Sequence, residues 1–196
     1  MIEGKLVRLR AIEPADAANA YKWINDREVT RYLMARYPFS LASEEDWAKV
    51  AAKPSEYSEA RFAIETKDGQ HIGFCGLHRG RPEERTADLG IMIGDRGFHE
   101  RGYGTDAMMT MVRFGFEQMN LHRISLGVFE FNQRAQAVYH KVGFVDEGSE
   151  RHGYFQDGRY WDVLRMSILE DEWRDLHGTR ATGVSATDRA NPIASA

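Results

Sequence analysis

A glycine-punctuated loop that runs directly into a helix constrains this chain more than any other stretch. It spans residues 97–106 and reads GFHERGYGTD. An apolar, strand-like run over 88–93 precedes it, and apolar residues at helical spacing follow it, namely Ala107, Met108, Met111, Val112, Gly115, Phe116 and Met119. Such a loop leaves backbone N–H groups free at a helix N-terminus, where the helix dipole adds partial positive charge. The order strand, loop, helix therefore predicts a site for an anion, above all a phosphate.

The segments around this unit predict hairpins and capped helices. Apolar or alternating runs predict strands over 5–10, 61–66, 71–78 and 123–129, and a long hairpin over 144–168. Ser43 with Asp46 predicts a capped helix start, while Asn132 and Gly143 are typical of the start and end of another helix. We expect one domain over residues 1–176 and a small, polar, disordered tail over 177–196.

Composition narrows the classes of function. The chain has 196 residues, a formal net charge of −4 and one cysteine, Cys75. A net negative charge disfavours nucleic-acid binding, and no apolar run approaches the roughly 20 residues that cross a membrane. One cysteine allows no internal disulfide, and the seven histidines show no metal-ligand spacing. We expect a cytoplasmic protein without a metal and without a nucleic-acid or membrane partner.

A second motif gives the loop its context. Residues 132–144 read NQRAQAVYHKVGF, which resembles the N-x-R-A-x-x-x-Y-x-K-x-G-F signature of GNAT N-acetyltransferases. The RGYG at 101–104 resembles that family's acetyl-CoA pyrophosphate loop. The start of the chain and residues 154–163, YFQDGRYWDV, resemble the branch that holds RimJ/RimL-like ribosomal-protein N-terminal and spermidine N-acetyltransferases. The resemblance covers residues 3–175 or so and implies an α+β fold, a mixed and mostly antiparallel sheet of six to seven strands flanked by helices.

The resemblance also implies acetyl-CoA as co-substrate. We expect backbone N–H groups of the loop to hold its pyrophosphate, with Gly102 and Gly104 permitting close approach. The residues expected to contact the co-substrate are Ile91, Met92, Ile93, His99, Glu100, Arg101, Gly102, Tyr103, Gly104, Thr105, Asn132, Arg134 and Lys141. His99 departs from the family, which usually has Gln or Arg there, so we expect Arg101 or His99 to supply the charge.

Two residues are expected to be catalytic. Tyr139 matches the family tyrosine that protonates or hydrogen-bonds the departing sulfur, although a half-buried aromatic on a helix face is the alternative. Asp88 heads the strand before the loop, where several family members carry a catalytic glutamate; being shorter, it would act through water, and a capping or ion-paired carboxylate is the alternative. Gly127 occupies the family's other base position. Glu28, His78, His122 and Trp161 are weaker pocket candidates.

The acceptor is the least determined feature. Neutralising a side-chain amine of pKa about 10.4 at pH 7 costs roughly 4–5 kcal/mol, but a protein α-amine costs only about 1 kcal/mol. We therefore expect a protein or peptide N-terminus, with a polyamine or other small amine as the alternative. For a cationic acceptor the final hairpin offers five carboxylates, those of Asp146, Glu147, Glu150, Asp157 and Asp162.

Two further classes compete with an enzyme of this kind. A non-catalytic acyl-CoA-binding module would keep the loop and lack turnover. A dinucleotide-binding oxidoreductase rests only on the glycine loop and requires repeated strand–helix units, whereas this chain offers hairpins. A homodimer is among the expected assemblies.

Overall fold

One continuous sheet dominates the computed structural model, which describes residues 1–178. Within that range the sheet has eight strands in the order β1-β2-β3-β4-β5-β6-β8-β7. Every neighbouring pair is antiparallel except β5 and β6, which are parallel. The strands are β1 Ile2–Glu3, β2 Val7–Arg10, β3 Glu59–Thr66, β4 His71–Arg81, β5 Thr86–Ile93, β6 Arg123–Phe129, β7 Val145–Gln156 and β8 Arg159–Leu169.

Six α-helices accompany the sheet in the described range. They are α1 Ala17–Ile24, α2 Arg27–Thr30, α3 Leu41–Ala51, α4 Tyr103–Glu117, α5 Gln133–Val142 and α6 Glu170–His177. The apolar stripe of α4, including Met108, Met111 and Val112, is fully buried against the sheet in the largest core cluster. Burial of this stripe holds the start of α4, and with it the glycine loop, at one end of β5.

The expected fold class is confirmed, but the strand count and one helix cap were wrong. Eight strands replace the expected six to seven, because residues 2–10 form two short strands around a turn. Helix α3 begins after Ser40, whose hydroxyl accepts the N–H of Ser43, so Ser43 is not the cap. Helix α6 ends one residue into the expected tail, and the rest of that prediction, residues 179–196, lies outside the described residues.

A buried ion-pair network fixes β2 to the first helices. Arg10 donates to both carboxylate oxygens of Asp16 at 2.8 and 2.9 Å, and to Glu65 at 2.8 Å. His71 lies 3.1 Å from the same Asp16 carboxylate. Burial opposes ionisation of Asp16, but the hydrogen bonds from Arg10 and His71 outweigh it and hold the pKa of that carboxyl well below its usual range. The network stabilises the scaffold and lies outside the site described next.

Candidate active site

A gap opens in the sheet between β5 and β6. The two strands pair only through Thr86–Asp88 and Arg123–Ser125, and they diverge beyond Asp88. From Leu89 to Ile93, β5 is paired on one side alone, with β4. The backbone groups on its open side therefore have no strand partner in the described chain. Apart from the carbonyl of Ile93, which accepts from His99, they are available to an extended ligand.

The glycine loop lies at the wide end of this gap. Gly102 precedes α4 with a φ of +86°, a left-handed conformation that glycine adopts without strain. Asp106 is the first residue of α4 whose N–H donates a helical hydrogen bond, to the carbonyl of Gly102 four residues earlier. The N–H groups before it are the free donors of a helix N-terminus, and they suit a phosphate.

The side chain of Asp106 anchors this helix start. Its carboxylate accepts the N–H groups of Lys5, Leu6 and Val7 at 3.0, 2.6 and 3.0 Å, in the turn between β1 and β2. The loop is thereby fixed to the sheet at a second point, and its free N–H groups are held in place before any ligand binds.

His99 and Arg101 have structural partners in this loop. The His99 Nε2 atom donates to the carbonyl of Ile93 at 2.8 Å and ties the loop to the end of β5. Arg101 donates to the carbonyl of Gly97 and lies over the ring of Phe98. Both side chains therefore brace the loop, and the free N–H groups at the start of α4 remain available to a phosphate.

Two openings lead into the gap, one on each side. The loop-side mouth is lined by Glu28, Val29, Tyr32, Leu33, Ile91, Met92, Ile93, Phe98, His99, Glu100, Gly102, Gly104, Thr105, Met108, Asn132, Arg134, Ala135, Val138 and Tyr139. The sheet-side mouth is lined by Tyr32, Leu33, Met34, His78, Arg79, Asp88, Leu89, Gly90, Ile91, Leu126, Gly127, Val128, Phe129, Asn132, Tyr139, Val163 and Arg165. Both linings include Tyr32, Leu33, Ile91, Asn132 and Tyr139, so the two mouths adjoin along these residues.

Helix α5 holds Tyr139 where the two mouths adjoin. The side chain of Asn132 caps the helix by accepting the N–H of Ala135 at 3.2 Å, and Gly143 ends it with a φ of +113°. Burial raises the pKa of Tyr139 to about 12. The phenol therefore stays protonated over the whole working range of pH and can donate a hydrogen bond into the gap.

Asp88 lies where β5 and β6 separate, on the sheet-side mouth. Its carboxylate accepts a hydrogen bond from the Ser125 hydroxyl at 2.7 Å and pairs with Arg79 at 3.2 Å. The side chain is 37% exposed, so water reaches it. Gly127, which follows on β6, adds no side chain to this part of the mouth.

Most residues expected to bind the co-substrate line the loop-side mouth. Arg101, Tyr103 and Lys141 line neither mouth in the described part of the chain; Lys141 is exposed on α5. Sequence reasoning did not assign Tyr32 and Leu33, which line both mouths, Arg165, which lines the sheet-side mouth, or Ser125, which donates to Asp88. The positions of Ser125 and Arg165 depend on strand register, which no local pattern shows. Tyr32 and Leu33 reach the gap through the packing of the segment after α2.

No helix within residues 1–178 is long and apolar enough to cross a membrane. No group of three or more His, Cys, Asp or Glu side chains in this range could hold a metal ion.

A phosphate-binding helix start, a gap between parallel strands and a tyrosine in that gap together define an acyltransferase that uses a CoA thioester. Comparison with known proteins identifies the family. The family model of the acetyltransferase (GNAT) domain matches residues 7–145, and the chain belongs to this family. Acetyl-CoA is thus its co-substrate, and the resemblance recognised in the sequence is confirmed.

Named relatives cover nearly the whole chain. The spermidine N(1)-acetyltransferase of Escherichia coli K12 is 29% identical over 174 residues, which cover 88% of this chain and 91% of the relative. A putative ribosomal N-acetyltransferase of Bacillus subtilis, YdaF, is 27% identical, and the match covers 85% of this chain and 93% of the relative. The crystal structure of spermidine N-acetyltransferase from Vibrio cholerae in complex with CoA and spermine superposes with a TM-score of 0.78 at 28% identity, with 86% and 98% covered.

Proposed function

We propose that this N-acetyltransferase acetylates the primary amine of a small molecule, with the donor and the acceptor bound at the same time through opposite mouths. The observation that carries the proposal is that Tyr139 lines both mouths. An acetyl group delivered from the loop side reaches the gap where an amine can enter from the sheet side.

The loop-side mouth fits the donor. The free N–H groups at the start of α4 bind the pyrophosphate, and the open edge of β5 offers backbone groups to the extended arm that carries the thioester. Acetyl-CoA supplies an activated acyl carbon, and the residues of the chain hold it against Tyr139.

Asp88 prepares the acceptor. A primary amine attacks only when it is neutral, so a water held by Asp88 first takes one proton from the ammonium group. The nitrogen releases a second proton after the C–N bond forms. The hydrogen bond from Ser125 orients the carboxylate towards the gap. When the C–S bond breaks, its electron pair leaves with the sulfur, and the products are the N-acetyl amine and CoA.

Tyr139 assists departure as a hydrogen-bond donor. Full proton transfer from a phenol of pKa about 12 to an alkyl thiolate of pKa about 8.5 would be unfavourable by roughly 5 kcal/mol. A hydrogen bond to the developing thiolate costs no such transfer and stabilises the charge directly. The proton released by the amine then neutralises the sulfur through solvent.

Direct transfer is favoured over a covalent enzyme intermediate. The natural candidate for an acyl-enzyme is Cys75, the one cysteine of the chain. It is buried in the core beside Met111, and burial raises the pKa of its thiol. An inaccessible, protonated thiol is a poor nucleophile.

The comparisons support a small-molecule acceptor better than the protein N-terminus expected from the sequence. Two of the named relatives bear the name of spermidine acetyltransferase, one of them in a complex with spermine, and a single one is named as a putative ribosomal acetyltransferase. A protein N-terminus is therefore the second candidate.

CoA release tests the proposal. Purified protein with acetyl-CoA and a thiol-reactive reporter is assayed against small amines, amino acids, polyamines and peptides, with an amine-free control. We expect turnover with small amines. Acetyl-CoA binding without turnover on any amine would instead indicate a non-catalytic acyl-CoA-binding module.

A further inference from the structure

The charges of the sheet-side mouth bear on which amine enters it. Among the described residues of its lining, the arginines are Arg79 and Arg165, and the one carboxylate is Asp88. The proposed chemistry uses that carboxylate for the reacting nitrogen. Arg79 already pairs with Asp88, so Arg165 is the arginine of this lining that remains for the far end of the acceptor.

Arg165 reaches this mouth because β6 carries a glycine opposite it. Gly127 and Arg165 are direct cross-strand neighbours. A Cβ atom at Gly127 would lie 3.1 Å from the Nη1 atom of Arg165, so the guanidinium occupies the space that a side chain there would take. Glycine at 127 therefore places a cation near the floor of the gap.

The existing partner of Arg165 leaves donors free. Glu150 accepts from Nε and Nη2 through one oxygen, at 2.8 and 2.6 Å, and the described residues provide no acceptor for Nη1. Arg165 and Glu150 are 47% and 50% exposed. An ion pair this exposed contributes little stability, so it does not prevent a second carboxylate from binding at the free end.

The carboxylates of the final hairpin, which a cationic acceptor would need, already have partners. Asp146 pairs with His140, Glu147 with Arg123, Glu150 with Arg165, and Asp157 with Arg27. Asp162 accepts from the Ser149 hydroxyl and the His152 N–H. None of these five carboxylates lines either mouth, so the hairpin offers a polycation no anionic group at the gap.

We propose that Arg165 binds a carboxylate on the acceptor, so that the enzyme selects small amines that also carry a carboxylate. Asp88 receives the amine end, and the guanidinium fork receives the anionic end. This inference rests on the proposed function, because it names the acceptor class for the same site. It differs from the polyamine acceptor that the names of the relatives suggest.

Three amines of equal chain length test the proposal. They are γ-aminobutyrate, n-butylamine and putrescine, whose far ends are a carboxylate, a methyl group and an ammonium. We expect kcat/KM to fall in that order, with γ-aminobutyrate roughly 10-fold or more above n-butylamine. The five-carbon series of δ-aminovalerate, n-pentylamine and cadaverine repeats the comparison at a second length.

Variants test whether Arg165 is responsible for the preference for a carboxylate. Arg165→Gln is expected to raise KM for γ-aminobutyrate roughly 10-fold and to narrow its advantage over n-butylamine, while Arg165→Glu favours putrescine. Arg174→Gln is the matched control, since Arg174 is 45% exposed, pairs with Glu170 and lies on α6 away from both mouths. Unchanged acetyl-CoA affinity shows that each variant is folded.

The outcomes separate this inference from the proposed function. Turnover that is fastest with putrescine in the wild type, or a carboxylate preference that Arg165→Gln leaves intact, overturns the inference and leaves the N-acetyltransferase proposal standing. If peptides are the only amines that turn over, both the proposed small-molecule acceptor and the inferred carboxylate-bearing acceptor are overturned. Acetyl-CoA binding without turnover on any amine overturns both.

Discussion

The two mouths that share Tyr139 are built in different ways. The loop-side mouth takes much of its lining from one stretch of chain, residues 98–108, and its main binding groups are backbone N–H donors. The sheet-side mouth collects individual side chains from β4, β5, β6 and β8. Backbone donors serve a co-substrate common to a whole family, whereas scattered side chains can change the acceptor without disturbing donor binding. Variants should therefore affect one mouth at a time.

The largest expected effect is at the loop. Gly102→Glu puts a carboxylate beside the phosphate site, in a backbone conformation with a φ of +86° that side chains rarely adopt. We expect the Kd for acetyl-CoA, measured by calorimetry, to rise roughly 100-fold or more through like-charge repulsion. Gly69→Glu is the control, because Gly69 has a φ of +90° and lies in the turn between β3 and β4. Equal losses in the two variants would mean that backbone strain, and not the phosphate site, is responsible.

The second largest effect is expected at Tyr139. Tyr139→Phe removes one hydrogen bond to a developing thiolate, so kcat should fall roughly 10- to 100-fold, with acetyl-CoA affinity unchanged. Because burial raises the pKa of Tyr139 to about 12, wild-type kcat should not decline near pH 10 through loss of this proton. A kcat equal to that of the wild type would show that the sulfur leaves unaided.

A smaller effect is expected on the sheet side. Asp88→Asn should lower kcat/KM for the amine by about 10-fold at pH 7, since base assistance through one water is weaker than direct proton transfer. The loss should shrink as pH approaches the pKa of the amine, because more of the amine is then already neutral. Asp171→Asn, on α6, is the control. A deficit that stays constant with pH would assign Asp88 to positioning alone.

The smallest effect on catalysis is expected in the scaffold. Asp16→Ala breaks the buried network with Arg10 and should lower the free energy of unfolding by about 3–5 kcal/mol, with kcat unchanged while the protein is folded. The pKa of Asp16 lies below its unfolded value, so its contribution is complete above about pH 4 and is lost as pH falls below that. Denaturant unfolding at pH 7 and pH 3 should show the difference between variant and wild type shrinking at pH 3. A difference that is unchanged at pH 3 would contradict this source of stability.

The same contrast explains what sequence reasoning found. The glycine loop and the Asn132 and Gly143 caps could be predicted because each depends on local backbone geometry that only a few residue types satisfy. The two-residue strand β1 is too short to carry a pattern, and Ser40 and Ser43 are alike in chemistry, so the packing of the chain selects the cap.

The residues that line the sheet-side mouth could not be predicted from local sequence patterns. That Arg165 reaches the gap depends on its register with Gly127, and no property of either residue alone reveals that pairing. Arg79 is 83% exposed, and its pairing with Asp88 appears only once β4 and β5 are aligned.

In the proposed mechanism the donor and the acceptor occupy the two mouths together and react directly. Initial rates measured while the concentrations of acetyl-CoA and an accepted amine are both varied distinguish this mechanism from one with an acyl-enzyme. We expect double-reciprocal lines that intersect, and no CoA release before the amine is added. Parallel lines, with a stoichiometric burst of CoA in the absence of amine, would reveal an acyl-enzyme and contradict the proposed mechanism.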